Sequence, residues 1–148
     1  ILKERGVDWA FYNTGNRFTY GIYLYKVAKE ENLNHRIAWH WNICAGDPYY
    51  ALDCREDDYS WMVTNSKKEL IPTIFFIRIA EGLDDYRYLL TLSRLIKEKQ
   101  NHPYVQESKK IFDEILSSIK IGIPGSYTSL NYKEIRYKIG ETIEKLLK

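Results

Sequence analysis

Val7-Asp8-Trp9-Ala10-Phe11-Tyr12 is followed by Asn13-Thr14-Gly15-Asn16 and, further on, by Arg36-Ile37-Ala38-Trp39-His40-Trp41-Asn42. The first stretch is short, apolar and rich in aromatic and β-branched residues, and it ends in a turn cluster, so it reads as a buried strand. Residues 17–31 between the stretches carry Phe18, Ile22, Tyr25 and Ala28 at three- and four-residue spacing. That is the period of a helix face, with Thr14 or Asn16 available as its N-cap. Asn32-Leu33-Asn34 closes the helix, and residues 36–42 form a second strand, apolar on both faces near its start. One helix between two buried strands implies parallel pairing through a β-α-β crossover.

Working toward the C-terminus, residues 43–60 form a long connection with Gly46-Asp47-Pro48 and the acids Asp53, Glu56, Asp57 and Asp58. Loops of this length inside a compact domain usually carry function. Trp61-Met62-Val63-Thr64 reads as a third short strand, ended by Asn65-Ser66. Pro72 fits the first position of a long helix reaching about Lys99. Its expected buried stripe is Phe76, Ile79, Leu83, Tyr86 and Leu90, with Gly82 tolerated if another backbone packs close there. His102-Pro103 opens a helix with Val105, Phe112, Ile115, Leu116 and Ile119 on its apolar face, ending at Gly122. Asn131 with Glu134 has capping-box spacing and starts a last helix carrying Ile135, Ile139, Ile143 and Leu146. The order is β-α-β-loop-β-α-α-α.

Composition narrows the function classes. The chain has 148 residues, 45% of them apolar, and a formal net charge of +2. No uninterrupted apolar run reaches the ~18 residues of a membrane span. The 22 Lys and Arg are interspersed with 20 Asp and Glu, so no basic stripe faces a phosphate backbone. Neither a membrane nor a nucleic acid is expected as partner. Two cysteines, Cys44 and Cys54, allow one bridge without implying it, and the compartment stays open. Thirteen Tyr and four Trp suit half-wet surfaces and sugar faces as well as cores. Ile1-Leu2-Lys3-Glu4-Arg5-Gly6 reads as the end of a helix, and the chain is expected to be a piece of a longer protein.

A full eightfold barrel takes about 250 residues, so this chain could supply its last three or so βα units and C-terminal helices. An open doubly wound sheet is the competing architecture. In either, ligands gather beyond the C-terminal strand ends. Tyr12, Asn13 and Arg17 there offer a phenol, an amide and a guanidinium for sugar hydroxyls or a carboxylate. Their alternative is a plain turn with a solvated arginine. Alternation places Trp39 and Trp41 on one strand face and His40 on the other. Trp41 and His40 are the candidates for ligand contact, against both indoles being core. In the loop, Asp47, Tyr49 and Asp53 combine acceptors with phenols, against a merely solvated acidic loop. Asp84 and Asp85 are helical neighbours about 100° apart, which suits structural hydrogen bonding better than a catalytic pair. No zinc spacing, calcium loop, phosphate loop, dinucleotide fingerprint or nucleophile elbow is present, and no cofactor or metal is expected.

Three motifs together resemble the C-terminal end of a glycoside hydrolase family 123-like catalytic domain. They are the run from Tyr12-Asn13-Thr14-Gly15-Asn16-Arg17 to Gly21, Trp39-His40-Trp41-Asn42 with Gly46-Asp47-Pro48-Tyr49, and Glu81-Gly82-Leu83-Asp84-Asp85-Tyr86-Arg87-Tyr88-Leu89. The resemblance spans roughly residues 8–95. It implies a β-N-acetylgalactosaminidase-like (β/α)8 barrel with substrate-assisted catalysis by an adjacent Asp-Glu pair upstream of this chain. No residue here is then catalytic. The expectation is an α/β chain, residues 1–100 being the C-terminal part of a barrel and residues 101–148 a helical appendage packed on it. Its partners would be a glycan, with terminal N-acetylhexosamine as the implied sugar, and the rest of the parent barrel. Tyr12, Asn13, Arg17, His40, Trp41, Asp47, Tyr49 and Asp53 would bind and orient the glycan. The resemblance leans to a secreted or cell-envelope location. The alternative is a non-catalytic carbohydrate- or protein-binding module.

Overall fold

The computed structural model describes residues 10–12, 16–31, 33, 35–37, 62–120 and 131–148. Strands β1 (Ala10–Tyr12) and β2 (His35–Ile37) pair in parallel, with Ala10 opposite His35 and Tyr12 opposite Ile37. Helices α1 (Arg17–Tyr20) and α2 (Ile22–Glu31) run between them. The β-α-β reading of this region holds in its described part, because a parallel partner can be reached only by a crossover. Both strands leave their pair at the same edge.

The expected single helix over 17–31 is divided at Gly21, the C-cap of α1, where the backbone leaves helical geometry at φ −113° and ψ −112° and α3 packs close. A Cβ on Gly21 would lie 2.8 Å from the Gly82 carbonyl oxygen and 3.2 Å from the Asp85 Cβ. Asn16 caps α1 with a full capping box: its side chain accepts from the Thr19 amide at 2.9 Å, and the Thr19 hydroxyl accepts from the Asn16 amide at 3.1 Å.

The third expected strand is β3 (Met62–Thr64), but it pairs antiparallel with a strand that the sequence did not announce, β4 (Leu70–Pro72). Asn65 builds the turn: its side-chain oxygen accepts from the Lys67 and Glu69 amides, both at 2.9 Å. Pro72 therefore ends a strand instead of opening a helix, a position where its missing N–H costs little. Thr73 is the N-cap of α3 (Ile74–Glu98), its hydroxyl accepting from the Phe76 amide.

Helix α3 keeps part of the expected stripe, with Ile79 buried and Tyr86 packed against the core, but its inward face is shifted. Its buried residues are Ile79, Gly82, Asp85, Leu89, Leu92 and Leu95, whereas Leu83 and Leu90 are 40% and 51% exposed. This face carries the close backbone approach at Gly82 that the sequence allows for, against the Arg17 carbonyl, and the ionic contacts of Asp85, which the sequence reads as structural. Helices α4 (Val105–Ser117) and α5 (Tyr132–Leu147) follow the sequence reading closely. Val105, Phe112, Ile115, Leu116 and Ile119 are buried, and so are Ile139 and Leu146. Asn131 caps α5 by accepting from the Glu134 amide. α4 begins two residues later than expected and ends at Ser117, while Gly122 lies outside the described residues.

One hydrophobic cluster joins the helices, with Phe18, Ile22 and Tyr25 meeting Leu89 and Leu92, Phe112 and Leu116, and Ile139 and Leu146. The Tyr25 ring meets Tyr86 and Phe112 edge-on, at 5.5 and 5.8 Å between centroids. Lys26 extends from α2 to donate to the Leu116 carbonyl at 2.9 Å and to the Ile119 carbonyl, closing the negative end of α4. The described residues are thus mostly helical, with two short strand pairs. Among them no helix is long and apolar enough to cross a membrane.

Candidate functional site

The best-built polar arrangement begins where the chain leaves β1. Tyr12 is the last residue of that strand, and four residues on Asn16 fixes the start of α1, so Arg17 is the first helical side chain beyond the strand edge. Its guanidinium turns away from the strands toward α3. Nε donates to Asp85 Oδ2 at 2.6 Å, Nη2 to Asp85 Oδ1 at 3.2 Å, and Nη1 to Glu81 Oε2 at 3.1 Å. The fork shape of arginine permits this bidentate grip.

Arg136 of α5 reaches the same carboxylate from the other side, Nε donating to Asp85 Oδ1 at 2.6 Å and Nη2 to the Glu81 carbonyl at 2.8 Å. Asp85 is 3% exposed and is held by two arginines from two different helices. The hydrogen bond to Asp85, aided by the nearby charges of Asp85 and Glu81, raises Arg17 above its ordinary value despite the opposing effect of burial. The Arg17 guanidinium also lies 4.7 Å from the Tyr132 ring centroid, and that of Arg136 lies 6.0 Å from the Tyr88 ring centroid.

Close backbone approach makes this geometry attainable. A Cβ on Gly82 would lie 2.5 Å from the Arg17 carbonyl oxygen and 3.1 Å from the Tyr20 Cβ. Any larger residue would push α1 off α3 and carry Arg17 away from Asp85. On the strand side, the Arg36 guanidinium of β2 stacks 4.3 Å from the Tyr20 ring centroid. Burial lowers Arg36 and raises the Tyr20 phenol. The β1–β2 pair is therefore tied to the helices by an arginine just after β1 and another within β2.

A cleft of about 620 Å³ opens beside the network, between α3 and α5. Arg17, Glu81, Tyr88, Arg136 and Tyr137 line it, with Gly140 leaving room on α5. Tyr137 is 67% exposed and Tyr88 39%. The lining offers two phenol rings, guanidinium and ammonium donors and three carboxylate acceptors, a set able to hydrogen-bond and stack a polar ligand. Among the described residues no group of three or more His, Cys, Asp or Glu could hold a metal ion.

Of the residues singled out from sequence, Tyr12 lies at the end of β1 and Arg17 lines the cleft while engaged by Asp85 and Glu81. Asn13, His40, Trp41, Asp47, Tyr49 and Asp53 lie outside the described residues. The structural reading of Asp85 agrees with its three hydrogen bonds from arginine, and Asp84 pairs locally with Arg87 on the exposed face. The sequence reading missed Glu81 and Arg136 as partners. Glu81 could have been found four residues before Asp85, on the same helix face. Arg136 has no comparable signal, since it comes from a helix more than fifty residues away.

No family model matches the chain, and neither does any curated protein or solved structure.

Proposed function

We propose that the chain is the C-terminal portion of a glycoside hydrolase of the (β/α)8 type, binding and orienting a glycan that carboxylates upstream of it hydrolyse. The observation that carries this reading is the parallel β1–β2 pair around a helical crossover, its strands leaving at one edge. Tyr12 ends the first strand and Asn13 comes next in sequence, and His40 and Trp41 come shortly after the second strand in sequence. Strand exits of this kind are where barrels and open α/β sheets take their ligands. Arg17 acts in this scheme as a positioning residue, fixing the chain just beyond β1 to α3, and a terminal N-acetylhexosamine is the sugar class proposed. The chain by itself turns nothing over.

The test is binding. N-acetylgalactosamine and N-acetylglucosamine are titrated against the chain while tryptophan emission is followed, with Trp41→Ala alongside. Saturable quenching that Trp41→Ala abolishes at unchanged melting temperature supports the reading. Absence of any saturable response, or hydrolysis of aryl N-acetylhexosaminides by the isolated chain, removes it.

A second reading is a non-catalytic carbohydrate- or protein-binding module. Leu70, Ile71, Ile74 and Ile77, from 42% to 64% exposed, form an apolar surface running from β4 into the first turns of α3, and they favour a macromolecular contact.

A further inference from the structure

A second cavity, of about 480 Å³, opens where the last turns of α2 and α3 meet the first two turns of α4. Helix α2 leads from the β1 exit back toward the start of β2, so this cavity lies toward the opposite end of the crossover from Arg17. Its floor is apolar: Ile96, Val105 and Phe112 line it, the last two 7% and 4% exposed. Its rim is cationic. Lys29 of α2, Lys97 of α3 and Lys109 of α4 face one acid, Asp113, which leaves the lining two positive charges in excess.

These amines are little engaged. Lys29 Nζ lies 4.7 Å from the Phe112 ring centroid. Among the described residues neither Lys97 nor Lys109 has an ion-pair partner, although nearby pairs such as Arg94–Glu98 and Lys145–Glu107 form. Three ammonium groups from three different helices around one cavity repel each other, and an anion between them would relieve that repulsion. The amides of Gln100, Asn101 and Gln106 add donors to the same rim.

We propose that this cavity binds a small phosphate monoester carried on an apolar or aromatic body. At neutral pH such a group carries about −1.5 to −2 charges, matching the excess of the rim, and its three oxygens suit lysine as a point-charge partner. The apolar body would lie against Ile96, Val105 and Phe112 where they line the cavity. The volume falls within the range of small-molecule sites. This inference is independent of the glycan reading and shares no residue with it.

The probe is phenyl phosphate, titrated against the full chain by calorimetry and by amide-resolved NMR, with phenol and inorganic phosphate as comparators. The expected result is saturable binding that shifts amides around Lys29, Lys97 and Lys109. Phenol should give no saturable binding, and inorganic phosphate should bind at least about tenfold more weakly. The exposed double variant Lys97→Glu/Lys109→Glu should lose at least about tenfold in affinity at an unchanged circular dichroism spectrum. In the wild type, raising the salt concentration should weaken binding through screening. Lack of saturable binding, shifts confined to other surfaces, equal binding of phenol or unchanged affinity of the double variant would each overturn the proposal. Equal affinity for inorganic phosphate would overturn the apolar-bodied ligand class.

Discussion

At the scale of single residues, Asp85 carries the most consequence. A carboxylate 3% exposed must have its charge answered inside the protein, and Arg17 and Arg136 answer it from two helices. Removing one member of such a set leaves the others uncompensated, which typically costs about 3–5 kcal/mol. Here both guanidinium groups retain some water, at 21% and 29% exposure, so part of that cost is relieved. Asp85→Asn is accordingly expected to destabilise the chain by about 2–4 kcal/mol in urea unfolding, and a change below about 0.5 kcal/mol would contradict the network's role. The buried phenols of Tyr20 and Tyr25 supply a pH dependence. Burial raises both above the ordinary tyrosine value, the Tyr25 shift being partly offset by its hydrogen bond with Ser93. Above pH ~10 the unfolded chain releases these protons before the folded one. Their contribution to stability is thus complete below pH ~10 and is lost as pH rises through the raised folded values. Urea midpoints should fall between pH 9 and 11, and Tyr25→Phe should make that decline shallower; an identical slope in the variant would remove Tyr25 as a cause.

At the scale of elements, α3 shows what the sequence could disclose and what it could not. α4 and α5 were legible because their buried faces are apolar at helical period, and hydrophobic patterning records such a face directly. On α3 the pattern pointed to Leu83 and Leu90, yet the helix is rotated so that Gly82 and Asp85 face inward. A small residue chosen for close approach and an acid chosen for distant arginines carry no hydropathy signal, and their partners lie far away in the chain. The β3–β4 hairpin was overlooked for a related reason: its turn depends on the Asn65 side chain, and Lys68 adopts φ 65° within it, a conformation that Lys does not advertise. At the candidate site, the legible part was the strand end and the structural role of Asp85; the α5 contribution was not. The α1–α3 contact makes a firm prediction. In Gly82→Ala the new methyl would meet the Arg17 carbonyl at 2.5 Å, a backbone atom that cannot rotate away. In an exposed helix interior this change would stabilise by about 1 kcal/mol. Here it should destabilise by about 1–3 kcal/mol through overpacking. A melting temperature at or above that of the parent would show that α1 is free to move off α3.

At the scale of the molecule, the question is whether the chain melts as one body. Residues 101–148 read from sequence as an appendage, and an appendage with its own contacts could unfold separately. Among the described residues the packing gives it no core of its own: Phe112 and Leu116 of α4 and Ile139 and Leu146 of α5 belong to the cluster that holds Phe18 and Ile22 of the crossover and Leu89 and Leu92 of α3. Polar ties run the same way, from Lys26 to the end of α4 and from Arg136 to Asp85. Elements that bury their apolar faces only against one another lose them together, which is the physical basis of a two-state transition. Ile139→Ala tests this directly, because Ile139 is 1% exposed and lies on the outermost helix in the sequence. Deleting its buried methyl groups should cost about 2–5 kcal/mol. If the core is single, that loss will lower by the same amount the unfolding midpoints followed by the helical signal at 222 nm and by the near-ultraviolet signal of the aromatic rings, Tyr25 against Phe112 among them. A helical loss that leaves the near-ultraviolet midpoint in place would mean that α5 unfolds by itself, and that Asp85 keeps Arg17 without the help of Arg136.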